Sequence, residues 1–273
     1  MNIWTQKSIE LANQKNYLDL LYRVYPISEN ARREISNEIK GIIKKYLENK
    51  DNKKLLITLL EQLNKKEIVF PIKDSYVSYL KHDFTAIDRN PKTVDRITSI
   101  LYEMGYDEII ERATAPKEAN RQMGSLFNNW IKKGSLTNNI LTDENDFLKT
   151  QENAIYGGDD KDRATFATKH LGYTREKGID LLAKFNGQYI MGEAKFLTDT
   201  GGSQNSDFED AEATLRTNLS NIDSDIIKIA IIDGPVYIEK CAGQKIPNRI
   251  RTAFSDDEVI LSAVLLRDYL YSL

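Results

Sequence analysis

Two acidic residues and a lysine stand close together in the last third of this chain. Asp180 is followed, after twelve intervening residues, by Glu193, and Lys195 lies two positions further on. Between the acids is Asn186-Gly187, with an apolar run on either side. Asn-Gly between such runs signals a tight hairpin, because a type I′ turn needs positive φ at both central residues. With these two residues as the loop, Phe185 faces Gln188 and the register sets Asp180 opposite Glu193. Directly opposed residues project to one face with Cβ atoms about 4.5–5.5 Å apart. The two-residue period of a strand places Lys195 on that face too. Opposed like charges repel unless something neutralises them. A divalent cation does so, and magnesium is usually held by one or two carboxylates with waters and a substrate phosphate. Read as plain structure instead, Asp180 and Lys195 would form a cross-strand ion pair, with Glu193 solvated at the rim.

The rest of the hairpin argues against a solvated ribbon. Ile179, Leu181, Ala183, Phe185, Ile190, Ala194 and Phe196 fall on the reverse face, and Leu182 and Met191 on the charged one. Strands apolar on both faces are central strands of a covered sheet. Charges at the end of such strands are costly to hold.

The elements that position this hairpin follow from periodicity. Residues 1 to about 110 read as helical. Ile35, Ile39, Ile42, Ile43, Tyr46 and Leu47 recur at helical spacing, and Leu55, Leu56, Leu59, Leu60 and Leu63 repeat the pattern. A third helix has Asn90 as cap, Pro91 in its first turn and Gly105 as its end. A helix is expected over 117–133, then a polar stretch with Gly157-Gly158-Asp159-Asp160 and a short helix ending near His170. Strands are expected at Gly178–Phe185, Gln188–Phe196, Asp225–Asp233, Val236–Lys240 and Val259–Ala263, a helix at Ser206–Leu219, and a closing helix to Leu273. Interleaved strands and helices indicate an α/β sheet core over 111–273, preceded by a helical region over 1–110.

Composition narrows the chemistry without naming it. The chain of 273 residues has 41% hydrophobic and 29% charged residues, as ordinary globular proteins do. No apolar run is long enough to span a membrane, and the N-terminus lacks a signal-peptide pattern, so the expected location is cytoplasmic. One cysteine, Cys241, and two histidines, His82 and His170, are too few for a four-ligand zinc site. Hydrolytic chemistry here would rest on carboxylates and lysines. A net charge of −3 does not mark a nucleic-acid binder, but the field of a cleft matters more than the sum.

Asp180, followed by Glu193-Ala194-Lys195, resembles the motif of the PD-(D/E)xK nuclease superfamily, with Ile179 where the motif's name has proline. Three further segments resemble type II restriction endonucleases: Arg89 to Val94, Arg121 to Trp130, and Leu171 through Asp180 to Gln204. The likeness covers about residues 85–273. It implies a restriction-endonuclease-like mixed sheet flanked by helices, and Mg²⁺-dependent, sequence-specific hydrolysis of double-stranded DNA. A homodimer is implied, with a cognate DNA methyltransferase encoded nearby. Asp180 and Glu193 would bind metal together with Ala194, and Lys195 would orient or activate the attacking water. Glu118 is a candidate additional acid, on the same helical face as Gln122, though a helix-start glutamate is often only a partner of the macrodipole. Gln122, Ser203, Gln204 and Asn205 are candidate DNA contacts, Gln204 equally readable as a helix-entry residue. Asp199 reads as a turn residue. Two other readings stay open: a repair or recombination nuclease of the same fold, and a non-enzymatic module whose carboxylates are structural. The helical region favours the restriction enzyme, since reading base edges needs extra surface.

Overall fold

The structure is a computed structural model that describes residues 1–27, 32–116, 122–202, 204–220 and 226–273. In chain order the helices are α1 (Ile3–Ala12), α2 (Tyr17–Val24), α3 (Asn37–Glu48), α4 (Asn52–Asn64), α5 (Ser75–His82), α6 (Ala86–Arg89), α7 (Pro91–Ala113) and α8 (Met123–Lys132). There follow β1 (Ile140–Leu141), α9 (Glu144–Lys149), β2 (Ala154–Tyr156), α10 (Asp160–Leu171), β3 (Leu181–Phe185) and β4 (Gln188–Phe196). The chain closes with α11 (Gln204–Leu215), β5 (Ile226–Asp233), α12 (Lys245–Thr252), β6 (Val259–Leu261) and α13 (Leu266–Tyr271). Among the described residues, no helix is long and apolar enough to cross a membrane.

Two compact units result: Met1–Ile27 with Ala119–Leu273, and Ser28–Glu118. Among its described residues the second has helices as its regular elements. Its core joins the apolar stripes of α3, α4 and α7, with Ile43, Leu55, Leu56, Leu59, Leu60, Ile97 and Leu101 fully enclosed. Gly105, at φ 73° and ψ 172°, is non-helical and ends the first of two helical segments that meet at a kink within α7, as expected; Ile109 and Ala113 are buried in the second segment. This partition differs from the expected division into 1–110 and 111–273. Helices α1 and α2 belong with the sheet: Thr5 Oγ1 donates to the Ile260 carbonyl at 2.8 Å, and Tyr17, Leu21 and Val24 are buried in the sheet's core. An amphipathic stripe says that a helix packs, not on which core.

The sheet has six strands in the order β1-β2-β3-β4-β5-β6. β3 runs antiparallel to both β2 and β4, while β1–β2, β4–β5 and β5–β6 are parallel pairs. Every residue of β3 is buried, as the two-sided apolar pattern requires of a central strand. The β3–β4 turn has Asn186 at φ 47° and Gly187 at φ 81°, and Phe185 pairs with Gln188. Hence the register is the one the Asn-Gly pair dictates. Ile190, with Ala194 and Phe196, packs on the side of α2, α8 and α13. Met191 falls with α10 residues and Leu197 with α11 residues on the other.

Two differences from the sequence reading concern strands. The segment expected as a strand at Val236–Lys240 forms two 3-10 turns, Pro235–Tyr237 and Glu239–Cys241. Gly234, at φ 112°, redirects the chain, and Pro235 has no N–H to give a ladder. Val236 and Tyr237 are buried all the same, so their hydrophobicity reported burial and not a strand. β1 and β2 were not foreseen, since runs of two and three residues carry no readable period.

Asp233, the last residue of β5, is fully buried and accepts from Ser262 Oγ at 2.5 Å, Tyr25 Oη at 2.7 Å and the Ala263 N–H at 3.2 Å. Burial pushes its pKa up to about 6, against the opposing pull of these donors. A carboxyl with a raised folded-state pKa binds its proton more tightly in the fold than when unfolded. Its contribution is therefore most favourable below the unfolded value near 4 and declines as pH rises to about 6. Between pH 4 and 7 the stability of Asp233→Asn should fall less than that of the native protein, by roughly 2 kcal/mol. Urea denaturation at several pH values would show this, and equal slopes for the two proteins would contradict it.

Candidate active site

The candidate residues gather where β3 and β4 diverge. The ladder runs as far as Leu181–Gly192. One residue beyond, Asp180 leaves regular pairing: its N–H donates to the Gly192 carbonyl at 3.1 Å, and its Oδ2 accepts the Ala194 N–H at 2.8 Å. It thus brackets Glu193 from both sides instead of facing it in a ladder pair. Ile179 is correspondingly displaced from its expected place on the reverse face and lies with Leu182 and Met191.

Helix α10 causes this departure. The Ile179 N–H donates to the Asp160 carbonyl at 3.1 Å, with Gly178 pressed so close that a Cβ there would lie 2.7 Å from Asp160 Cβ. From the same helix Arg163, 1% exposed, reaches under the turn. Its guanidinium donates to the carbonyls of Asp180 at 2.8 Å and Ile179 at 3.3 Å, and to Asn128 Oδ1 of α8 at 2.9 Å. A planar fork of five donors suits such a convergence of oxygens. Nothing in local spacing marked Arg163.

Glu193 is 2% exposed and lies against two lysines. Its Oε1 lies 2.8 Å from Lys195 Nζ and 3.0 Å from Lys177 Nζ. Both lysines also approach Asp210 Oδ2 on α11, Lys177 closely and Lys195 at 3.7 Å. So Lys195 pairs with Glu193 and not across the hairpin with Asp180, and Glu193 is not a solvated rim residue. Lys177 and Asp210 were missed in the sequence: Lys177 sits outside the strand pattern, and Asp210 comes from a helix whose docking no spacing shows.

The electrostatics follow from this crowding. Burial, reinforced by neighbouring Glu193, raises the Asp180 pKa above the ordinary carboxylate value, although the Ala194 N–H opposes the shift. For Lys195, burial works against the charge, but the contact with Glu193 outweighs it and lifts the pKa. Lys177 goes the other way: burial lowers its pKa despite Glu193. Asp180, Glu193 and Asp210 face the ammonium groups of Lys177 and Lys195, and Asp210 is paired with the Arg175 guanidinium as well. Moreover, Glu193 Oε2 is buried without a hydrogen-bond partner. An orphaned buried carboxylate oxygen beside a second carboxylate is a fit for a hard cation. Among the described residues no group of three or more His, Cys, Asp or Glu is set to hold a metal, so waters or phosphate would complete the coordination.

The other candidates lie elsewhere. Gln204 opens α11, and its Oε1 accepts the Thr198 N–H at 3.0 Å, closing the loop after β4. Asn205 donates from Nδ2 to the Gly202 carbonyl at 3.1 Å. Asp199 is exposed and accepts the Thr200 N–H at 2.6 Å, as a turn residue does. Gln122 occupies the N-terminal cap position of α8. Glu118 and Ser203 lie outside the described residues.

A mixed six-stranded sheet flanked by helices, with an acid pair and lysines at the open end of its central hairpin, defines an α/β protein of restriction-endonuclease-like architecture. The family model described as Tsp45I type II restriction enzyme matches residues 2–273, and the chain belongs to that family. It is accordingly a site-specific deoxyribonuclease that binds double-stranded DNA, and enzymes of this type generally use a divalent metal. Membership decides against the repair nuclease and the non-enzymatic module. No curated relative and no solved structure was found to match the chain.

Proposed function

We propose that this enzyme hydrolyses DNA with Mg²⁺ held by Asp180, Glu193 and Ala194, and with Lys195 as the group that orients or activates the attacking water. The observation that carries the reading is the buried, unpartnered Glu193 Oε2 beside Asp180, with Lys195 fixed 2.8 Å from the other oxygen. When bound, the ion would neutralise the paired acids, make its water more acidic and draw charge from a phosphate oxygen. The chain's own part is positioning and charge. Asp180 is aimed by the Ala194 N–H and by the Arg163 grip on its carbonyl. Lys195 stays protonated through its contact with Glu193, so it presents a fixed positive charge where a phosphate gains negative charge. Gln122, Gln204 and Asn205 are proposed DNA contacts.

The helical unit Ser28–Glu118 would serve DNA recognition or dimerisation, and the enzyme would act as a homodimer on a two-fold symmetric site. A DNA methyltransferase encoded nearby would protect the host genome. Incubating the protein with plasmid DNA, with and without Mg²⁺, tests the central reading: discrete fragments only with Mg²⁺ are expected, and metal-independent cleavage would sink it. Lys195→Ala should reduce turnover about 10²–10³-fold while Mg²⁺ still binds. Lys195→Arg should rescue only in part, because a planar fork does not replace a compact point charge. Full activity of Lys195→Ala in single-turnover assays would remove the lysine from the mechanism. Sedimentation with a duplex bearing the mapped site checks the dimer, and a monomer in both free and bound states would contradict it.

A further inference from the structure

Beside the candidate active site lies a groove of about 920 Å³, walled by α10 and by the loop leading from it to Asp180. Its α10 wall presents Lys161, Ala164, Thr165, Thr168 and Lys169, a single helical face at i, i+3, i+4, i+7 and i+8. Lys161, Thr165, Thr168 and Lys169 are exposed. The acids of this helix point elsewhere: Asp160 lies under Gly178, and Asp162 is spent on the capping box with Asp159. The loop wall adds Arg175 and Lys177, so the lining carries four basic groups against one acid, Glu176, with Lys169 paired from outside the groove by Glu144. Asp210 ties both Arg175 and Lys177 to α11, which fixes the spacing of these charges. Lys177 is the groove's inner end, since the same ammonium lies 3.0 Å from Glu193.

We infer that this groove is the track for the phosphate backbone of the DNA strand that enters the active site, with Lys161, Lys169 and the Thr165 and Thr168 hydroxyls contacting successive phosphates. The inference rests on the nuclease reading above. Small hydroxyl side chains between two lysines let a sugar–phosphate chain come close, and Lys and Ser/Thr are among the usual phosphate donors. The chain's overall negative charge makes a local basic track the more necessary for a polyanion to approach.

Each phosphate contact contributes about 0.9 to the slope of log K against log salt concentration. Binding of a mixed-sequence duplex, measured by fluorescence anisotropy in EDTA so that no strand is cut, therefore tests the track directly. Lys161→Gln should lower the slope by about 0.9, and Lys161→Gln with Lys169→Gln by about 1.8. Thr168→Glu, which places a carboxylate in the groove, should weaken binding at least about tenfold at low salt, on the scale of one lost charge-assisted contact. These are exposed positions, and an unchanged melting temperature will show that each variant is folded. Slopes identical to that of the native protein, or undiminished binding by Thr168→Glu, would overturn the proposal. The two readings fail separately. A native enzyme that cuts DNA while the slopes stay fixed refutes only the track, and a native protein that never cuts refutes the nuclease site whatever the slopes.

Discussion

Asp180→Ala and Glu193→Ala are each expected to depress DNA cleavage by about 10²–10³-fold or more while leaving site-specific binding measurable. Both carboxylates are held at a cost. Asp180 is driven toward its neutral form first by burial and then by Glu193, and Glu193 keeps one oxygen buried with nothing bonded to it. Groups kept in such positions without benefit to the fold are ones a function requires. Removing either acid takes away half of the proposed metal site but none of the groove contacts. Affinity for DNA should be unchanged or higher, since a negative charge near the phosphates has gone. Metal-free stability should fall for Glu193→Ala, which strips Lys177 and Lys195 of the carboxylate they share. Asp180→Asn sharpens the test: its amide oxygen can still accept the Ala194 N–H, so the turn is kept while the charge is lost. Single-turnover cleavage in Mg²⁺, anisotropy with a duplex bearing the site, and calorimetric Mg²⁺ titration give the three readouts. An Asp180→Ala enzyme that cuts at near the native rate would end the assignment.

The largest effect on stability is expected at Arg163. Its side chain is enclosed, and it satisfies the carbonyls of Ile179 and Asp180 together with the Asn128 side chain of α8. Arg163→Met fills most of the space but leaves those oxygens buried and unbonded, at about 1–3 kcal/mol each. The sum, allowing for relaxation, is a loss of roughly 3–5 kcal/mol. For a protein of this size that corresponds to a melting temperature about 10 °C lower. Arg163→Lys keeps the charge but not the fork, so it should fall between the two. Calorimetry of the three proteins decides the point, and an Arg163→Met protein melting with the native one would show that water satisfies these carbonyls.

Much of the site's frame was legible in the sequence, and the reason is locality. Asn186-Gly187 admits one tight turn, and a two-residue turn fixes every pair that follows, so the β3–β4 register from Phe185–Gln188 to Leu181–Gly192 needed no tertiary information. The same period of two put Lys195 on the face of Glu193. The leucine and isoleucine stripes of α3, α4 and α7 were likewise local, because 3.6-residue spacing reports a buried face wherever it is buried.

Tertiary structure decided what those patterns leave open. At Asp180 the ladder's rule gives way, since the Arg163 fork and the Asp160 carbonyl pull residues 178–180 toward α10, and contacts between residues 17 positions apart have no signature in spacing. Lys177 and Asp210 join the site through the docking of α11 against β4, a matter of packing alone. Which core received α1 and α2 was similarly invisible, for an apolar stripe is indifferent to its partner. Sequence set the register of the two strands up to Leu181–Gly192, because a two-residue hydrogen-bonded turn fixes the pairs that follow it. The fold set the aim and the charge of the carboxylates, because burial and ion pairing depend on side chains that the chain brings back from afar.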